Sequence, residues 1–230
     1  MASYVVRRSS YTDRSLEIAF AGDGVQLAGQ LDYPTQHSPD NGYPLLFVLH
    51  SAGWNTRADL AHFACTGLNC GYAVFRWDKR GNGRSGASGL GSTAVDAVLA
   101  YEAALSQPDI DLSRVVVLAQ GEGTLLLAEI FAQFARIQRP RGVILAGNML
   151  PPDAIGAIDT RVRVIMGEDD WHDWQHYARE ACAVHNASYR HGASFYVAHN
   201  ADRMLMIGQN GEKNFHFGVT HIIQDWLQTL

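Results

Sequence analysis

The sequence predicts an α/β protein, a three-layer α/β/α sandwich on a mostly parallel central sheet. Three observations lead there. Short, almost wholly apolar runs recur along the chain, as strands buried on both faces require. Amphipathic segments of helical length alternate with them, the pattern of right-handed crossovers in one sheet. The 230 residues are 47% hydrophobic, enough to bury one substantial core, so a single domain over residues 1–230 is expected.

Taken in order, Leu16–Phe20 and Val25–Tyr33 alternate apolar and polar residues around Gly22-Asp23-Gly24, which predicts an antiparallel hairpin opening the sheet. Gln36–Tyr43 is rich in Pro, Asn, Asp and Gly and is expected to be a surface loop. The apolar runs then follow at Leu45–Leu49, Ala73–Trp77, Val115–Ala119, Gly142–Ala146, Val162–Met166 and Ser194–Ala198. Helices are predicted near Ala58–Asn69, Thr93–Ser106, Glu122–Arg136, Asp173–Asn186 and Phe215–Gln228. Gly147–Arg161 is a connection too short for a lid domain, so little or no lid and a comparatively open pocket are expected.

Composition narrows the function. A formal charge of −5 gives no basic face with which to hold nucleic acid or anionic lipid, so neither partner is expected. Three cysteines, Cys65, Cys70 and Cys182, lack C-x-x-C spacing and suggest buried thiols rather than disulfides or a zinc knuckle. The segment MASYVVRRSSYTDRS interrupts any apolar leader with two arginines, and no later run approaches membrane-spanning length. A soluble cytoplasmic protein is the expectation.

Four segments carry chemistry, in a fixed order. LLFVLHSAG spans Leu45–Gly53, and WDKRGNGRSG spans Trp77–Gly86 with Asp78, Arg80, Gly81, Gly83 and Ser85 in the pattern D-x-R-G-x-G-x-S. VVVLAQGEG spans Val115–Gly123, and MGEDD is followed later by HNADRML. In this order the segments resemble the α/β-hydrolase family from Leu45 to Leu230. The resemblance implies an oxyanion-hole amide from Ser51 or Ala52, a nucleophile elbow at Ala119–Gly123, a triad acid at Asp170 and a triad base at position 203.

The chain departs from that pattern at two of the three triad positions. Gly121 stands where the nucleophilic serine belongs, and glycine has no side chain with which to attack an acyl carbon. Arg203 stands where histidine belongs, and a guanidinium stays protonated at physiological pH, so it accepts no proton. The expected result is a pseudoenzyme-like site that binds a small acyl or carbonyl ligand, or a protein partner, without Ser-His-Asp turnover. Asp170 and Arg203 are expected to form an ion pair. Ser51, Ala52, Gln120, Glu122 and Trp54 are expected to border the ligand, with the amides of Ser51 or Ala52 and of Glu122 as oxygen donors. No cofactor is expected.

Other readings stay open. A serine-esterase-like hydrolase or a lyase acting through a displaced nucleophile is the alternative, with Ser51 beside His50 as one candidate pair; a collapsed pocket in an interaction module is a third. His199 lies four residues before Arg203 and is expected at the pocket rim or on the surface. His172 and His176 are spaced i, i+4 beside Asp169, Asp170 and Asp173, but the Glu of H-E-x-x-H is absent and no metal is expected. Trp54, Trp171 and Trp174 flank the loops expected to border the pocket and either wall a ligand site or pack elsewhere. Ser85 is expected to stabilise its own loop.

Overall fold

The computed structural model describes residues 12–50, 55–87, 90–170, 172–208 and 213–230. Eight strands form one sheet: β1 (Thr12–Ala21), β2 (Gln26–Pro34), β3 (Tyr43–Leu49), β4 (Ala73–Trp77), β5 (Ile110–Gln120), β6 (Gly142–Ala146), β7 (Arg161–Gly167) and β8 (Ala193–Ala198). Their spatial order is β1-β2-β4-β3-β5-β6-β7-β8. The β1–β2 and β2–β4 pairs are antiparallel and every later pair is parallel. The hairpin anticipated at Gly22–Gly24 closes β1 onto β2, with the Gly22 N–H donating to the Val25 carbonyl at 2.7 Å.

Helices α1 (Ala61–Asn69), α2 (Thr93–Leu105), α3 (Glu122–Gln138), α4 (Pro152–Gly156), α5 (His172–Ser188) and α6 (Phe217–Leu227) connect the strands, and a 3₁₀ turn at Arg57–Leu60 leads into α1. A second, two-stranded ribbon pairs β9 (Met206–Ile207) with β10 (Asn214–Phe215).

The continuous apolar runs acquire their reason from the pleat, which sends successive side chains to opposite faces. On β3, Leu45, Phe47 and Leu49 enter the cluster that receives Tyr101 of α2, Phe134 of α3 and Ala178 of α5. Leu46 and Val48 enter the other cluster, with Phe63 of α1 and Ile223 of α6. Each face is therefore covered by helices. The first cluster is tightened by aromatic pairs, Tyr101 stacking on Phe134 at 4.1 Å between centroids and Phe47 meeting Tyr101 edge-on at 5.2 Å.

The connection Gly147–Arg161 contains only the short α4, so no lid domain separates β6 from β7. Among the described residues, no helix is long and apolar enough to cross a membrane.

Candidate functional site

Three strand ends converge at the carboxyl edge of the sheet, where the ligand crevice of an open α/β sheet forms. The first is the turn from β5 to α3. Gly121 sits at its apex with φ 53° and ψ −124°, backbone that an L-residue adopts only under strain. Its N–H donates to the Ala146 carbonyl at 3.0 Å, and its carbonyl accepts from the Thr124 N–H at 2.9 Å and hydroxyl at 2.7 Å. Thr124 Oγ1 accepts in turn from the Met149 N–H at 3.1 Å, so the loop after β6 is tied to the apex. The elbow is thus built and fastened, with hydrogen at its tip.

The second strand end is the turn after β7. Asp169 donates its N–H to the Ala201 carbonyl at 2.9 Å and Glu168 to that of Ala198 at 2.8 Å, which locks this turn against the one after β8. Asp170 is buried by the arrangement, its side chain only 3% exposed.

The third is the turn after β8. Gly147, at φ +60°, lies directly under it: a Cβ there would be 2.1 Å from the Arg203 carbonyl oxygen. That close approach lets Arg203 reach Asp170. Its Nε donates at 3.0 Å and its Nη2 at 2.8 Å, both to Oδ1, so the contact uses two nitrogens on one oxygen rather than a fork on both. The hydrogen bonds to Asp170 hold the guanidinium above its usual range, outweighing burial, and Glu122 adds to the effect.

The remaining residues anticipated from the sequence fall in different places. Gln120, last in β5, is fully buried and donates its Nε2 to the Met204 carbonyl at 3.1 Å. It thereby ties the Arg203 turn to the elbow from below. Its Oε1 is buried without a hydrogen-bond partner among the described residues. Glu122 is the first residue of α3 and is exposed at the helix's positive end. Ser51, Ala52 and Trp54 lie outside the described residues, as does Trp171. The His50 ring beside Ser51 is buried, donates Nε2–H to the Trp77 carbonyl at 2.6 Å, and is held neutral by burial, its pKa pushed down to about 4.

His199 is on the surface, its ring against the Glu168 carboxylate and its carbonyl accepting from His216 Nε2 at 3.1 Å. Trp174 lies on α5 and lines a groove of about 420 Å³ with Pro151, Pro152, Tyr177 and Val184. Ser85 holds its loop, donating to the Asp78 carbonyl at 2.6 Å and accepting from the Ala28 N–H at 2.9 Å. Asp78 accepts from the N–H groups of Arg57 at 2.8 Å and Arg84 at 2.9 Å, and Arg80 places Nε and Nη2 on Asp96 at 2.7 and 2.8 Å. The D-x-R-G-x-G-x-S segment is accordingly a turn bonded within itself and to β2, the 3₁₀ turn and α2.

One residue escaped sequence reasoning. Lys79, at the x of D-x-R just past β4, is near enough to Glu122 for their charges to interact; burial lowers its ammonium pKa and the charge of Glu122 opposes the shift. Glu122 thus feels two cations, Lys79 and Arg203. The only signal in the sequence was a lysine beside a recognisable turn.

No family model matches the sequence, and no curated protein matches it. Solved structures do. A CIB-like hydrolase from Thermoplasma acidophilum superposes with a TM-score of 0.70 at 15% identity, over 94% of this chain and 99% of that one. A dienelactone hydrolase-like promiscuous phosphotriesterase from metagenomic libraries gives 0.68 at 15% identity, over 94% and 96%. Dienelactone hydrolase from Anabaena variabilis gives 0.67 at 14% identity, over 94% and 97%. The chain has the α/β-hydrolase fold. Within that fold the β5–α3 turn and the turns after β7 and β8 follow one another along the sheet; likeness at this identity concerns architecture, since function resides in the site.

Proposed function

We propose that this α/β-hydrolase-fold chain binds a small acyl or carbonyl-bearing ligand at the elbow and does not turn it over by Ser-His-Asp chemistry. One observation carries the reading: at the sheet edge where an acid–base pair would act, Asp170 is engaged by Arg203 through two N–H donors, and the apex between them and α3 is Gly121. A permanent cation accepts no proton, and a glycine supplies no attacking oxygen.

What remains favours oxygen-rich ligands. The positive end of α3 opens on the crevice, and Lys79 and Arg203 bring two cations to its neighbourhood. A carbonyl or carboxylate oxygen placed over Gly121 meets a field that lowers its energy, and without a nucleophile the complex goes no further. Glu122 sets a counter-charge that keeps the site from being a bare anion hole.

The experiment is a thermal-shift screen of short-chain carboxylates, esters and lactones, followed by calorimetry on the strongest hit. Wild type is expected to bind with a saturable rise in Tm, and Gly121→Leu, which fills the space above the apex, is expected to lose binding at least tenfold. A full screen without a saturable ligand, or a Gly121→Leu chain that binds as wild type does, sinks the proposal.

A further inference from the structure

At the other end of β7 from Asp170 lies a second, largely open cavity, of about 250 Å³, bordered by α6 and by β7 and β8. Arg161, Arg163, Ser194, Asp225 and Trp226 line it. Arg161 and Arg163 are two residues apart on one strand, so their side chains share a face about 7 Å apart and repel. Arg161 donates Nη1 to the Thr229 carbonyl at 3.1 Å and sits 5.7 Å from the Trp226 ring. Arg163 lies 6.0 Å from the Tyr196 ring, and its Nε is buried with no acceptor among the described residues.

Both guanidinium groups are outside every ion pair formed among the described residues, and so is Asp225, although it borders the same space. A buried donor without an acceptor is costly, the more so when it is charged. Burial also lowers the Arg163 pKa, with Cys182, Tyr196 and Asp225 opposing the shift. A guanidinium pair facing a cavity is suited to planar or tetrahedral oxyanions, which accept parallel N–H donors. The volume equals roughly eight waters, more than an ion alone requires, and Trp226 offers an apolar wall for an organic portion.

We propose that this cavity is a binding site for a phosphate group, carried by a phosphomonoester or present as the free ion, with Arg163 as the central donor and Arg161 as the second. The site is independent of the elbow: Arg163 and Gly167 are four residues apart along β7, about 13 Å, and the two sites open on opposite sheet edges. Ser194 supplies a hydroxyl at the floor, and Asp225 is the group that limits affinity.

The test is calorimetry and thermal shift with inorganic phosphate and glycerol 3-phosphate, against sodium chloride at matched ionic strength. Wild type is expected to bind phosphate saturably while chloride leaves Tm unchanged. Arg163→Met is expected to weaken binding at least tenfold, and Asp225→Asn to tighten it severalfold by removing a like charge. Asp225→Asn keeps the proposal testable if Arg163→Met fails to fold. Tighter binding of glycerol 3-phosphate assigns the phosphomonoester, and tighter binding of inorganic phosphate assigns the free ion. Equal shifts with chloride, unchanged affinity in Arg163→Met, or weaker binding in Asp225→Asn each overturn it.

Discussion

Replacing Gly147 by alanine tests how Arg203 is delivered to Asp170. Gly147 sits at φ +60°, and a methyl group there would lie 2.1 Å from the Arg203 carbonyl oxygen and 3.5 Å from its Cγ. An ordinary non-bonded separation is about 3.5 Å, so the carbonyl must retreat by more than about 1 Å. The left-handed backbone adds about 1–2 kcal/mol for any residue with a Cβ. Moving the turn also stretches the Arg203 Nη2 to Asp170 contact, now 2.8 Å, and that of Gln120 with the Met204 carbonyl, now 3.1 Å. Together these put the cost at about 2–4 kcal/mol, a fall in Tm of roughly 4–16 °C for a chain of this size. Urea unfolding followed by tryptophan fluorescence measures it. Gly156→Ala is the control, because a Cβ there meets nothing within 4 Å, and it is expected to be neutral or stabilising by up to about 1 kcal/mol. A Gly147→Ala chain within ~0.5 kcal/mol of wild type would refute the idea that a close backbone approach places Arg203.

Three further outcomes follow from the same structure. His50 and His62 are buried and held neutral, with pKa values pushed down by burial to about 4 and about 3 from the usual 6.5. Both accept a proton more readily unfolded than folded, so their contribution is complete above about pH 6.5 and drains at about 1.4 kcal/mol per pH unit for each ring as pH falls toward 4; urea midpoints that stay flat between pH 7 and 5 contradict this. Gly121→Ala should destabilise by about 1–3 kcal/mol through the strained apex alone, and an unchanged midpoint would mean that the turn relaxes freely. Arg203→Met leaves the buried Asp170 carboxylate without its two-nitrogen partner; because the arginine is 42% exposed, the loss is set below that of a fully buried pair, at about 1–3 kcal/mol. Arg203→Lys should recover less than half of it, since an ammonium cannot supply Nε and Nη2 together.

The fold was legible wherever burial on two faces wrote continuous apolar runs. Ala73–Trp77 and Gly142–Ala146 have the bounds their sequences suggest, and Leu45–Leu49 grows only by Tyr43 and Pro44. Strand β5 begins five residues before its apolar run, because Tyr43 pairs with Ile110 across a register shift that local pattern cannot reveal. The β9–β10 ribbon of two residues per strand and the five-residue α4 are too short for any periodicity.

At the site, the order of the segments placed Asp170 and Arg203 opposite each other, as their contact requires. Two features were invisible. Gln120 turns inward to Met204, which depends on which way the last residue of β5 faces, and Lys79 matters only because Glu122 lies near it in space.

Intact-mass spectrometry of rigorously purified protein after prolonged exposure to a fluorophosphonate bears most directly on the elbow. With Gly121 at the apex and Arg203 committed to Asp170, the mass is expected to remain that of the unmodified chain. A stoichiometric adduct mapped to any serine would contradict the account, because it would place an activated hydroxyl where none is assigned.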